Sequence, residues 1–395
     1  MILAVWALAA VAGAVVPTPP NSAELTATGF DHFYNLEYPQ AIADFARLTQ
    51  LEPENPSAWN HLSQAYLYQE MERVGALASE LYGPGDPILK IRLLPLDPAA
   101  AQRFQSANQR ALALAQAQTQ AHPSDAAAAY ALAVAWGLRG TFDFVLRKAY
   151  WNALTDAGKA RRAALRAVAL RPGWREPLLI LGVDDYIVGS LPWMVRWLAH
   201  LGGFSGNKRR GIARIHDVAS NPGSARTEAQ ILMVVVDRRE GWNRQAIPWL
   251  AGLEQAYPRN VLFAVELGDA AEAAGQHAAA IAAFRSVLAR AAARAPGFQQ
   301  APLSRVWYQL GNIDRLFSRF PEALTDYRQA ESALQAEPRY RQAAALAAGQ
   351  VEDQLGRRPA ALADYRRCIA INPDGPAAHL AERYLDHPFH PRKES

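Results

Sequence analysis

The chain has 395 residues, 50% of them hydrophobic and 20% charged, with a formal net charge of +4. So much apolar material and so little net charge exclude disorder as the main state, and a single cysteine, Cys368, excludes a disulfide framework. No stretch beyond the N-terminus runs about 18 residues without a charge, which excludes a polytopic membrane protein, and the 41 basic against 37 acidic residues are too evenly spread to form the stripe of a nucleic-acid binder.

Met1 to Pro17 carries no charge. A run of that length is short for a bilayer span and suits the apolar core of a signal peptide. Ala12-Gly13-Ala14 offers a small-x-small cleavage site, and Pro17 to Ser22 reads as a loose segment. The expectation is a signal peptide over 1–14, without the usual basic n-region, and a mature protein in the periplasm or at the envelope. A kept anchor and a buried N-terminal helix are the alternatives.

From residue 23 the chain repeats. Gly29, Ala41 and Pro53 are spaced by twelve and twelve, and so are Gly349, Ala361 and Pro373. The Ala-to-Pro interval returns at Ala111/Pro123, Ala160/Pro172 and Ala246/Pro258, and the Gly-to-Ala interval at Gly268/Ala280 and Gly311/Ala323. Small residues at a fixed beat let a second helix approach a first. Four residues after the Ala a large group falls on the same face: Phe45, Leu250, Phe284, Tyr327 and Tyr365. Gly241, Gly275 and Gly356 sit where a helix end needs a left-handed residue, and Pro39, Pro321 and Pro359 where a helix starts. Pro248 falls inside a second helix and predicts a kink.

With Trp59-x-x-Leu62-x-x-x-Tyr66, this spacing resembles the tetratricopeptide repeat (TPR) family. The resemblance is fullest over 24–70 and 225–385. It implies an all-α, right-handed α-solenoid of about seven helix pairs, with first helices lining a concave groove. The expected organisation is a helical array over 23–172, an atypical helical segment at 173–222, a second array over 223–385 and a loose tail at 386–395.

The segment from Gly182 to Trp193, followed by Gly203-Phe-Ser-Gly206, breaks the period. It resembles the central region of the tetratricopeptide repeat protein 39 and inclusion body clearance family, and of related bacterial exported TPR proteins. Asn207-Lys208 stands where that pattern has an acid and an Arg. Gly203 to Lys208 superficially matches a phosphate loop but lacks the Gly-Lys-Ser/Thr order. Trp193, Trp197 and Leu201 share a helix face that fits either the core or a membrane surface. Arg196, Trp197, Lys208, Arg209 and Arg210 form a candidate patch for anionic lipid or a carboxylate, against a plain solvated turn.

No HExxH, GxSxG or CxxC motif is present. Asp184 and Asp185 point about 100° apart on a helix, poor for shared acid–base work, and one of them reads as a cap or as the partner of an Arg. Cys368 fills a small-residue slot and reads as a buried thiol. Catalytic residues, metal ligands and cofactors are therefore assigned to none, although a composite enzyme site in the groove stays open. Arg238, Asp269, Glu272, Arg305, Tyr308, Asn312 and Arg315 are the candidate groove residues, an Arg/Asn/Tyr strip suited to a peptide or a carboxylate terminus. The carboxylate clamp of TPR chaperone cofactors is matched only at Asn312, with Tyr308 in place of the Lys. The expected role is a non-catalytic scaffold for a protein or peptide partner, without nucleic acid; peripheral contact with anionic lipid is the alternative.

Overall fold

A computed structural model describes residues 21–77, 94–190, 206–333 and 337–391. The expected signal peptide lies outside these residues. The helices follow in antiparallel pairs: α1 (Ser22–Tyr34) with α2 (Tyr38–Leu51), α3 (Pro56–Arg73) with α4 (Pro98–Ala121), and α5 (Ala126–Thr141) with α6 (Tyr150–Leu170). Next come α7 (Glu176–Ser190) with α8 (Lys208–Ser220), α9 (Arg226–Arg239) with α10 (Asn243–Ala256), and α11 (Val261–Ala273) with α12 (His277–Ala292). The last are α13 (Leu303–Leu316) with α14 (Phe320–Ser332), α15 (Pro338–Gln354) with α16 (Arg358–Ile371), and the closing helix α17 (Pro376–Asp386). Among the described residues there is no strand.

Each helix packs on the next in sequence, and first helices of neighbouring pairs also meet, as α3 meets α5 and α13 meets α15. This is the stacking of an α-solenoid. The repeat spacing has its predicted cause. A Cβ added at Gly268 would stand 2.7 Å from Phe284 Cδ1, and one at Gly311 2.7 Å from Tyr327 Cε1. Gly29 against Phe45 and Gly349 against Tyr365 repeat the contact. Phe45, Phe284, Tyr327 and Tyr365 are all fully buried, and each such ring stabilises the stack by roughly 1.5–3 kcal/mol. Gly241, Gly275 and Gly356 hold φ of +76°, +73° and +71° at the turns, as expected.

The atypical segment supplies α7 and α8, so among the described residues seven repeat pairs stack with one helical insert between them, as the spacing implies. Their contact is backbone on backbone instead of glycine on ring. A Cβ at Gly211 would meet the Tyr186 nitrogen at 2.5 Å, and one at Gly182 the Gly211 oxygen at 3.1 Å. No twelve-residue beat marks such a crossing, which is why the segment reads as a helical break in the period. The α10 helix runs on from Asn243 to Ala256 with Pro248 inside it.

The stack also curls back on itself. Arg259 Nη2 lies 2.6 Å from Asp31, and its Nε 2.8 Å from Glu37. The Arg259 backbone N–H donates to Asn35 Oδ1 at 2.9 Å, and Asn260 Nδ2 to the Tyr34 carbonyl at 2.7 Å. Tyr34 and Tyr257 bring their rings to 4.9 Å. These contacts span more than two hundred residues (|i−j| of 222 to 228 for the Arg259 bonds to Glu37 and Asp31), whereas an ideal solenoid touches only its neighbours. The first five pairs therefore form a closed curl. The end of the tail is also tied: the Phe389 N–H donates to Asp353 Oδ2 at 2.7 Å.

Candidate binding surface

The groove residues predicted on the second array do not form an open strip. Arg305 and Asp269 are 3% exposed, and the Arg305 guanidinium bonds Glu266 at 2.8 Å and Asp269 as well. A first helix in isolation would show both positions to solvent. In the stack α11 and α13 meet, and the two residues become an internal ion pair. Arg238 Nη1 bonds Asn243 at 3.0 Å, Asn312 Oδ1 accepts the Tyr327 hydroxyl at 2.9 Å, and Arg315 bonds Gln350 at 2.8 Å. Tyr308 lies between the Tyr327 and Tyr340 rings, at 6.0 and 5.9 Å. Glu272 remains partly exposed. The strip proposed for a carboxylate terminus is thus spent largely on internal bonds.

The basic patch is corrected in the same way. Arg196 and Trp197 lie outside the described residues. Arg210 makes two bonds of 2.7 Å to Asp185, Arg214 adds a third at 2.5 Å, and Lys208 pairs with Glu240 at 2.5 Å. Burial works against charge on Asp185, yet these guanidiniums hold its carboxyl below the usual range. Asp184 bonds Arg161 at 2.7 Å, so both acids are structural partners of Arg, where their spacing implied this of one. Of the described basic residues in the patch, Arg209 alone is exposed without a recorded partner.

A different cluster gathers inside the curl. Tyr34 comes from α1, Gln64 and Tyr68 from α3, Tyr130 from α5, Glu228 from α9, and Tyr257 from the end of α10. Glu228 is close enough to push up the hydroxyl pKa of Tyr34, Tyr68, Tyr130 and Tyr257, adding to the larger effect of burial on each. Tyr68 reaches about 12. The Tyr34 hydroxyl and Gln64 side chain face the Glu228 carboxyl, but its Oε2 is buried with no hydrogen-bond partner. Burial pushes that carboxyl up. The result is one under-bonded acid, bonded by Tyr34 and Gln64, with three further phenols near enough to feel its charge. Such a cluster presents hydrogen-bond partners and aromatic faces to a donor or a cation. The sequence alone carries no signal for it, because its members sit in four separate repeats and only the curl joins them.

Among the described residues no group of three or more His, Cys, Asp or Glu could hold a metal, and no helix is long and apolar enough to cross a membrane. Cys368 is fully buried, and burial pushes its thiol up to about 12.

No protein-family model matches the chain, and no curated protein matches it. The narrower resemblance of residues 182–211 therefore rests on its motif alone. Solved structures with a similar trace include the APC/C hetero-tetramer Cut9-Hcn1, 12% identical, TM-score 0.47, over 92% of this chain and 56% of that one. The human IFIT1 dimer with m7Gppp-AAAA is 14% identical, TM-score 0.40, over 93% of this chain and 81% of that one. A tetratricopeptide repeat protein from Parabacteroides merdae is 14% identical, TM-score 0.30, over 79% and 92%. This chain thus spans little more than half of the first of them. Likeness at this level says nothing of partner or activity.

Proposed function

We propose that the protein is a non-catalytic scaffold that holds a segment of a partner protein in the concave face of its first five helix pairs, after export to the cell envelope. One observation carries the reading: Glu228, with a buried and unbonded oxygen, faces Tyr34, Tyr68, Tyr130 and Tyr257 across that concavity. A partner segment that brings a donor to Glu228 removes the cost of that bare oxygen, about 1–3 kcal/mol. Aromatic walls supply area at low cost in side-chain entropy. The anionic-lipid reading keeps little support, because Lys208 and Arg210 are already neutralised by Glu240 and Asp185. Export is supported by the uncharged run Met1–Pro17 and the Ala12-Gly13-Ala14 site.

A photo-crosslinking residue placed at Tyr130 tests the binding reading, with one at the exposed Leu165 as control. The expected result is a discrete protein adduct from position 130, lost in Glu228→Gln and absent from position 165. Adducts to RNA alone, or equal adducts from both positions, would overturn it. Export predicts a mature N-terminus near Val15, and an intact Met1 on the cellular protein sinks that half of the reading.

A further inference from the structure

Five junctions between paired helices are closed by the same backbone bond, from the N–H of residue i+5 to the carbonyl of residue i. The bonds are Glu37 to His32 at 2.9 Å, Trp242 to Asp237 at 2.7 Å, and Gln276 to Ala271, Arg319 to Asp314 and Arg357 to Glu352 at 2.8 Å. The two side chains of each junction therefore hang from equivalent backbone positions. In the later junctions the pair is an acid and an arginine. Arg319 Nε lies 2.9 Å from Asp314, and Arg357 Nη1 lies 3.6 Å from Glu352. Ala271 with Gln276 carries no charge. His32 with Glu37 is not an acid–arginine pair either, and Asp237 with Trp242 has the acid but an indole where Asp314 and Glu352 face an arginine.

The missing base leaves a trace. Asp237 is 0% exposed, and both of its carboxylate oxygens are buried without a hydrogen-bond partner. Burial pushes its carboxyl up to about 6, and no neighbouring charge offsets that. The nearest cations do not serve it: Lys208 is held by Glu240, which also accepts the Tyr186 hydroxyl at 2.8 Å, and Arg209 stands exposed at the rim. Beside Asp237 a cavity of about 650 Å³ opens, with Ile212, Met233, His216 and Gln245 in its wall. Trp242 also lines it, with 40% of its surface exposed.

We propose that this cavity is a socket for the arginine side chain of a partner protein, whose guanidinium takes the place that Arg319 and Arg357 hold in the later junctions. The proposal rests on the reading of the chain as a protein-holding scaffold. Three features of the site fit arginine. A planar guanidinium bonds both oxygens of a carboxylate at once, and both oxygens of Asp237 are vacant. A guanidinium also stacks on an indole face, as Arg139 does over Trp136 at 4.2 Å elsewhere in this chain. The apolar stem of arginine fits against Ile212 and Met233. Lysine would bring a point charge and lose the two-fold bond.

Acetyl-arginine amide is the probe, titrated into the full chain while tryptophan fluorescence is followed, with acetyl-citrulline amide as its uncharged isostere. Saturable binding is expected for arginine. Binding should weaken more than tenfold for citrulline and for Asp237→Asn, in line with hydrogen bonds to charged groups. A second variant guards against misfolding of the first: Trp242→Arg restores the internal pair and is expected to abolish probe binding. Glu228→Gln should bind the probe as the parent does, which separates this site from the concave one. Equal binding by Asp237→Asn, unchanged binding by Trp242→Arg, or no saturable binding at all overturns the proposal. In the last case the Asp237 carboxyl stays sealed from any added group, and the concave reading is untouched.

Discussion

Replacing Gly268 by Ala isolates the contact on which the stack depends. The added Cβ would stand 2.7 Å from Phe284 Cδ1 and 2.8 Å from Cζ, where ordinary contact begins near 3.4 Å. Phe284 is 0% exposed and sits among Val265, Ala280 and Val306, so its ring cannot swing away and α11 must part from α12. Overpacking of that kind costs about 1–3 kcal/mol. An opposing effect has to be removed, because Ala outperforms Gly in a helix interior by roughly 0.8–1.0 kcal/mol. Gly252 supplies the control: it is exposed within α10, and nothing lies within 4 Å of its Cβ position. Gly252→Ala should stabilise by about that propensity difference, and Gly268→Ala should fall below Gly252→Ala by about 1–3 kcal/mol. Urea unfolding combined with residue-resolved hydrogen exchange is the assay, because a repeat array can open pair by pair. In a Phe284→Leu background, which removes the ring, adding Ala at 268 should cost almost nothing. Equal stability of the two Ala variants in the parent background would refute the account of the repeat spacing.

Arg305→Met should lower stability by about 3–5 kcal/mol, since it leaves Glu266 and Asp269 buried together without their cation. A change below about 1 kcal/mol in urea unfolding would mean the pair is hydrated and does not hold α11 to α13. Asp237 predicts a pH dependence. Its carboxyl is raised to about 6 in the folded protein and is near 3.9 when unfolded, so the folded state binds more protons between those values. Stability of the parent relative to Asp237→Asn should therefore rise as pH falls from about 7 to 4, and a flat difference in melting temperature speaks against the vacancy. Lys208, Arg209, His216 and Glu240 line the same cavity and are present in both proteins, so the difference removes their contribution. Cys368, fully buried and with its thiol pushed up to about 12, should resist an aromatic disulfide reagent in the native protein and react once denaturant is added. Rapid labelling of the folded chain would contradict that burial.

The all-α stack, the glycine–ring contacts and most helix boundaries were legible in the linear order of residues. Each rests on local chemistry: Gly268 twelve residues before Ala280, Pro321 opening α14, Gly275 turning at φ +73°. The seat of a buried thiol at Cys368 and an Arg partner for one of Asp184 and Asp185 could be read in the same way. The α7–α8 pair was legible as a helical break in the period but not as a repeat, because two glycines at a backbone crossing leave no periodic mark. The vacancy at Asp237 did leave a signal, Trp242 in the slot of Arg319 and Arg357, but only when the junctions are laid over one another.

What the residues settled by themselves was the unit: small side chains at a fixed interval let one helix nest on another, and that needs no knowledge of distant parts. What only the tertiary structure decided was which polar groups remain available. Arg305 and Asp269 were spent where α11 meets α13, and Lys208 and Arg210 on Glu240 and Asp185. Glu228 and Asp237 were instead left without enough partners. The physical reason is that periodicity reports the face a side chain takes on its own helix. The charge it meets there comes from a neighbouring repeat, or, through Arg259, from the far end of a chain that curls back on itself.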